Sequence, residues 1–397
     1  MNVNELIPEL EYHGLVGIIP DGHPTWRREQ EHSKEHGKLI EKIEPFFVPS
    51  PEIDHGKGFP KNPNFDAFIC IPEGDIKLPE IDLDGIKRKV AEEGIEALAW
   101  YRSFHWEPLE RWGIYIWDKG IYYIAFQILR GVTRVSRFGR SFNTLDLLQQ
   151  SFKLLFLHEF FHFITDVAAT ILEMGNPQPK PRYIPYVKNV YMRPRDSNEP
   201  IEEALANAYA LNKVIGLGIR SQLCIFMKDQ PNGYSAFDQY MRKDDFTYGR
   251  RLLGTCIRDG IYGGGDAPLE MVFDCNYREV GFGDVPIYIV QTISDPRYAI
   301  HFIPSIPKAT LVWTDRFRDD LQNLPPKIRK KFEKSLDYLE SDTRSKSLNF
   351  EKIQGCNSVY SIRIDRGYRA SLRPLNGRWE LLRITNHEEL YRNPGGC

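Results

Sequence analysis

Hydrophobic positions are sparse and aperiodic over the first eighty residues, dense at helical spacing from Ile81 to about Arg258, and alternating near the C-terminus. The opening part holds six prolines from Pro45 to Pro72, with Pro79 just beyond. It reads as an irregular wrapping segment, because proline removes a backbone donor and fixes φ. From Ile81, IDLDGIKRKVAEEGIEALAWYRSF predicts a helix. GIYIWDKGIYYIAFQIL predicts a strand, a turn at Asp118-Lys119-Gly120, and a second strand or a helix start. A long helix opens near Asn143 or Thr144 and closes at Gly175-Asn176-Pro177, glycine followed by proline being a stop signal. SNEPIEEALANAYALNKVIG then offers a Ser/Asn cap, Pro200 in the first turn and acidic residues near the start, all favourable at a helix N-terminus. Helical pattern persists to about Arg258, strand-like PIYIVQTI and AIHFIP follow, and Pro304 and Pro307 mark a linker.

Beyond that linker, VWTDRFRDDLQNLPPKIRKKFEKSLDYLESD predicts two helices around Pro325-Pro326, and VYSIRIDRGYRASLRPL and WELLRITNHEELY alternate like an antiparallel sheet. The expected class is α+β. Its parts are an irregular Pro-rich segment over 1–80, a mostly helical domain over 81–306, and a small helix-helix-antiparallel-sheet domain over 307–397.

Composition narrows the setting. With 42% hydrophobic and 27% charged residues in 397, the chain is globular rather than disordered. Its six cysteines show no CxxC pair, which argues against a disulfide scaffold or a thiolate zinc site and suits a reducing cytosol. The N-terminus lacks a basic region and an apolar core of signal-peptide length, and nowhere do 18 apolar residues run uninterrupted. The expectation is a cytoplasmic protein with no membrane partner. Net charge is −2, but residues 308–397 hold 18 Lys and Arg against 12 Asp and Glu, leaving 34 against 42 elsewhere. A basic module on an acidic body points to a nucleic-acid or acidic partner for the module.

Within the long helix, LLFLHEFFHFITD sets polar groups in an apolar run, which is costly unless something satisfies them. His158 and His162, at i and i+4, project from one face about a turn apart, so their nitrogens can bind one ion, with Glu159 beside them to take a proton from water. Zinc needs a third protein ligand. Glu203 supplies it from the later helix, with Asn207 one turn on to hold a ligating histidine; Glu202 is the alternative ligand. Asp166, one turn beyond His162, is a further orienting candidate, and Tyr209, Tyr240 and His301 are candidates for stabilising an oxyanion.

These motifs resemble the gluzincin metallopeptidases, over about 80 residues spanning the two helices. The resemblance implies a zincin-like fold, Zn2+ held by His158, His162 and Glu203, Glu159 as general base, and a protein or peptide substrate. Gluzincins carry a carboxylate where Asn207 stands, and the change is similar to that in small intracellular peptidases that cleave bacterial repressors.

The basic module resembles the RelE/ParE superfamily of toxins through LxxLPxxIRKK, EKIxG, YSIRI, GYR and NHEELY in that order. The resemblance implies a RelE-like mRNA endonuclease or toxin, with Arg363 and Arg369 at basic positions and Tyr391 at the C-terminal tyrosine. Ser361 falls where a lysine can stand and His387 near a usual arginine, His387 remaining able to act as acid or base. Arg363, Arg366, Arg369 and Arg373, interleaved with Tyr360 and Tyr368, are expected to line a sheet face suited to phosphate and bases. The expected partners are a ribosome or mRNA and an antitoxin-like protein, in bacterial stress or phage defence. The contrasting expectation is a nucleic-acid- or ribosome-binding protein whose HExxH site is a structural metal site.

Overall fold

The computed structural model describes residues 3–25, 43, 45–49, 68–69, 78–107, 109, 111–135, 144–175, 177–193, 201–214, 217–262, 284–295, 298–300, 302–303, 311–341, 348–356, 358–375 and 378–395. The class is α+β. Two compact units divide the chain: Met1–Pro63 with Ile76–Pro296, and Asn64–Asp75 with Arg297–Cys397. The division comes ten residues before the expected domain boundary at 306, and most of the Pro-rich segment belongs with the helical unit. Pro304 and Pro307 lie outside the described residues.

In the first unit, the helix Thr144–Met174 runs through the centre. Its apolar pattern goes all the way round, so it is buried on every side: the helices Asp118–Val135, Ile201–Lys213 and Lys243–Asp259 and the strands Ala99–Arg102 and Gly113–Trp117 all pack on it. The stretch Leu147–Met174 is long and apolar enough to cross a membrane, but 94% of its most apolar window is buried inside this fold. A four-stranded sheet lies beside it in the order Phe46–Pro49, Asp284–Val290, Gly113–Trp117, Ala99–Arg102, parallel only at its central pair.

Three local expectations change. The segment read as irregular contains the helix Val3–Tyr12, which buries Val3, Leu6 and Leu10 and tolerates Pro8 within it. The helix expected from Ile81 to Phe104 covers only Leu83–Glu93; Gly94, at φ 76, ends it, and Ala99–Arg102 is the terminal strand of the sheet. Asp118-Lys119-Gly120 is not a turn but the start of a helix, where the Asp118 carboxylate accepts from the amides of Thr292 and Ile293 at 2.7 and 2.8 Å.

The second unit carries a five-stranded sheet in the order Glu351–Lys352, Tyr360–Arg363, Tyr368–Leu375, Arg378–Asn386, Leu311–Trp313, antiparallel except at the last pair. The helices Asp315–Gln322 and Pro326–Ser341 cover one face, packing Phe317, Leu324, Ile328 and Phe332 onto Ile362, Leu372, Trp379 and Leu381. Two helices followed by antiparallel strands match the expected order, but the strand Leu311–Trp313, largely read as part of the first helix, precedes both and pairs in parallel with Arg378–Asn386. Cys224 and Cys256 are free, whereas Cys356 is disulfide-bonded, which the cysteine spacing did not foretell.

Candidate functional site

One turn of the long helix puts His158 and His162 on the same side, facing the helix Ile201–Lys213. Their Nε2 atoms lie 3.3 Å apart, and Glu203 Oε2 lies 3.2 Å from the first and 3.6 Å from the second. An ion bound tetrahedrally at about 2.0–2.1 Å from its ligands separates them by roughly 3.4 Å, so these three atoms have the spacing of one face of a zinc coordination shell. All three residues are buried, His162 being the most exposed at 7%. Glu203 Oε2 has no hydrogen-bond partner, as a lone pair reserved for a cation would not. The residues fit a divalent metal.

Electrostatics agree. Burial holds His158 below its usual pKa against Glu203 and Asn207, which keeps it neutral as a ligand must be. Burial alone would do the same to His162, but Glu203 and Glu202 outweigh it and push His162 well above its usual value. Glu203 is held well below the usual carboxylate range: burial opposes this, and His162 and His158 overcome it. The triangle is therefore a seat for positive charge, which a proton or a metal can fill.

The supporting residues differ partly from expectation. Glu202 lies behind His162 and outside the triangle: its Oε1 accepts from His162 Nδ1 at 2.8 Å and its Oε2 accepts from the Tyr186 hydroxyl, so it fixes the His162 ring with Nε2 towards the triangle. Asn207 Nδ2 donates to Tyr234 O at 3.0 Å and to Gln230 Oε1 at 3.3 Å; its Oδ1 and His158 Nδ1 are both buried short of hydrogen-bond geometry, although the Asn207 side chain still favours the protonated form of His158. Asp166 orients neither ligand. It accepts from Tyr101 at 2.8 Å and pairs with His105 at 2.5 Å, and His105 reaches Glu173 through its other nitrogen at 2.8 Å. Tyr209 stacks on Phe246 in the core with its hydroxyl unpartnered, Tyr240 packs against Gly249, and His301 lies outside the described residues.

The hydroxyl beside the triangle belongs instead to Tyr191, on the π-helical turn Val187–Tyr191. It lies 2.5 Å from Glu203 Oε1 and 2.7 Å from Glu96 Oε1, while Glu96 Oε2 accepts from Tyr234 at 2.9 Å. One hydroxyl proton cannot serve two carboxylates, so the Glu96–Tyr191–Glu203 chain shares a further proton. No motif marks Glu96 or Tyr191 in the sequence; π turns do occur often at functional sites, which is the one signal available. Glu159 is fully buried with both oxygens lacking a hydrogen-bond partner. Burial pushes its carboxyl well above the usual range, with His162 pulling it back and Glu96 and Glu203 adding to the rise. A cavity of about 20 Å³, room for one water, lies against His162, lined also by Glu96, Tyr101 and Tyr191. A larger cleft of about 350 Å³ shares Glu96 and Tyr191 with it.

In the second unit, the sheet face opposite the two helices gathers a separate polar cluster. Arg369, 6% exposed, places Nη1 2.6 Å from Glu351 Oε1 and 3.2 Å from Ser361 Oγ. The Tyr391 hydroxyl donates to Glu351 and lies 3.3 Å from Ser361 Oγ, and Arg369 sits 5.7 Å from the Tyr391 ring centre. Asn386 caps the last helix, accepting from the Glu389 amide at 2.9 Å, and the His387 ring packs 4.7 Å from that of Tyr391. Arg363 is the exposed cross-strand partner of Arg369. Arg363, Arg369, Ser361, His387 and Tyr391 are named by the sequence motifs, whereas Glu351, though it falls in EKIxG, is singled out by none of them. It also placed Tyr360 and Tyr368 on the basic face, whereas strand alternation turns both towards the core. Arg373 is paired with Glu380 at 2.6 Å.

No known family model matches the chain, and no curated protein matches it. Among solved structures, the chain is similar to one from the RelB-RelE antitoxin-toxin complex of Methanococcus jannaschii, at 22% identity over 20% of this chain and 95% of that one, with a TM-score of 0.19.

Proposed function

We propose that the first unit is a zinc-dependent metallopeptidase. The observation that carries this is the triangle of His158 Nε2, His162 Nε2 and Glu203 Oε2 with a buried, unpartnered Glu159 beside it. Bound zinc supplies a Lewis acid for the scissile carbonyl and lowers the pKa of water to about 7. Glu159 takes the proton of the attacking water on its carboxylate and returns it to the departing amine. Positive charge at the triangle opposes the burial that raises the Glu159 pKa, and so favours its carboxylate form in the loaded site. Tyr191, already in hydrogen-bond contact with Glu203 and Glu96, is the hydroxyl nearest to hand for a developing oxyanion, in the role first expected of Tyr209, Tyr240 or His301. A purely structural site would close its coordination with a fourth protein ligand. Among the described residues the cluster has three, and the small cavity abuts it. Proteomics of cells expressing the wild type against Glu159→Gln tests the reading: cleaved proteins should accumulate only with the wild type, and identical peptide termini in both would refute it.

For the second unit a separate observation favours an RNA-directed role. Arg369, Tyr391, Ser361, Glu351 and His387 converge on one sheet face, with Arg363 exposed beside them. Arg369 suits a phosphate, and Glu351 and His387 are the groups able to move protons. Growth arrest by the full chain carrying Glu159→Gln should be relieved by Arg369→Ala or Tyr391→Ala. Arrest unaffected by either would count against this role.

A further inference from the structure

The metal triangle is more enclosed than hydrolysis of a peptide allows, and the cover comes from the N-terminal part of the same unit. Pro20, Asp21, Gly22 and His23 make a tight turn closed by the His23 amide on Pro20 O at 3.1 Å, with Gly22 at φ 81 as the third residue of a type II turn requires. The turn folds His23 inward, where it is 6% exposed, stacked on Tyr191 with ring centres 5.5 Å apart and set edge-on to Trp106 at 5.9 Å. Thr25, 2% exposed, donates its hydroxyl to Tyr101 O at 2.9 Å. Upstream, Gly17–Ile18 pairs in parallel with Trp106–Glu107 and anchors the segment.

His23 and Thr25 line the small cavity against His162, while Gly22 and Pro24 line the 350 Å³ cleft that shares Glu96 and Tyr191 with it. Residues 22–25 thus form the wall between a space large enough for peptide side chains and the metal triangle. They also engage the carbonyl of Tyr101 on the terminal strand of the sheet. A terminal strand is where an extended peptide adds by main-chain hydrogen bonds, and Thr25 already holds an acceptor there. The same segment presses on the Tyr191 ring, whose hydroxyl contacts Glu203.

We propose that residues 20–25 are an autoinhibitory strap: they occupy the approach to the metal centre and the Tyr101 carbonyl, and peptide access requires their displacement. This rests on the metallopeptidase reading for its consequence, though not for its geometry. The contacts of Thr25 and His23 include the Thr25 hydroxyl on Tyr101 O, the Thr25 amide on His23 Nδ1 at 3.3 Å and the stacking on Tyr191 and Trp106, and a short surface segment of this kind opens locally while the buried helix at its back stays folded.

The test compares the full-length wild type with His23→Ala/Thr25→Ala and with the gentler Thr25→Val, which keeps the side-chain shape and removes the hydroxyl. One readout needs no metal: carbethoxylation of His162 by diethylpyrocarbonate in chelator-treated protein, followed by peptide mass spectrometry. The other is casein hydrolysis by the zinc-loaded protein. The double variant should be modified at His162 about tenfold faster and cleave casein about tenfold faster, with Thr25→Val moving both the same way and the melting temperature unchanged. Unchanged His162 modification in both variants would overturn the strap, even if all three forms cleave casein equally, in which case the peptidase reading stands. Faster modification with no casein cleavage by any form keeps the strap and overturns the peptidase.

Discussion

Replacing His105 by leucine should destabilise the first unit by several kcal/mol. The ring is fully buried between two carboxylates of the long helix, Asp166 at 2.5 Å and Glu173 at 2.8 Å, seven residues and so two turns apart. Both nitrogens face acceptors, which makes the ring an imidazolium donating from each. Burial pulls its pKa down, but Asp166 and then Glu173 outweigh this and raise it from 6.5 to about 10. A shift of roughly 3.5 units at 1.36 kcal/mol each gives about 5 kcal/mol as an upper bound on the proton-linked stabilisation. Because the folded pKa is the higher one, that contribution is complete below about pH 6.5 and is lost as pH rises towards 10. His105→Leu removes the cation from between two buried carboxylates, leaving Asp166 with the Tyr101 hydroxyl and Glu173 with the amides of Arg182 and Tyr183, a loss of about 3–5 kcal/mol, and it also removes the stacking on Tyr183 at 4.8 Å. Hydrogen exchange of the long-helix amides measures the loss within this unit, and nitrogen NMR of labelled histidine follows the ring itself. A loss below about 1 kcal/mol, with the His105 ring titrating near 6.5, would refute the clamp.

Other outcomes follow from the same geometry. Glu202→Gln leaves the three ligands in place but removes the charge behind His162, so zinc affinity measured by chelator competition should fall about 10–100-fold; equal affinity would contradict the orienting role. Gly94→Ala forces a side chain into φ 76 and within 2.7 Å of the Tyr234 ring, and should cost about 1–3 kcal/mol in thermal unfolding while disturbing the Tyr234 contact on Glu96. Asn386→Ala removes the cap of the helix bearing His387 and Tyr391, at about 1 kcal/mol by hydrogen exchange in the second unit.

The cluster of His158, His162 and Glu203 is legible because helical periodicity fixes where i and i+4 point, and because an acidic pair at a second helix start narrows its third member to Glu202 or Glu203. Spacing could not separate those two roles; only the packing of the helices shows Glu203 at the triangle and Glu202 behind His162. Asp166 shows the same limit, since its spacing from His162 suited an orienting role, yet Tyr101 and His105, more than sixty residues away, take its oxygens. Glu96, Tyr191 and residues 20–25 carry no local sequence pattern, because they are brought to the cluster by tertiary contacts alone. AWYR was read as helix because apolar residues in a short run do not reveal their period, and Gly94 was the break that decided it. In the second unit, alternation placed Arg363 and Arg369 together, while Glu351, on a two-residue edge strand, gave no such signal.

Whether His158, His162 and Glu203 together hold a metal is read out by elemental analysis of the purified full-length chain beside His162→Ala and Glu203→Ala. The wild type should carry one zinc per chain and both variants should lose nearly all of it, with the fold of the long helix retained. Wild-type protein without stoichiometric metal, or variants that keep it, would overturn the metallopeptidase proposal.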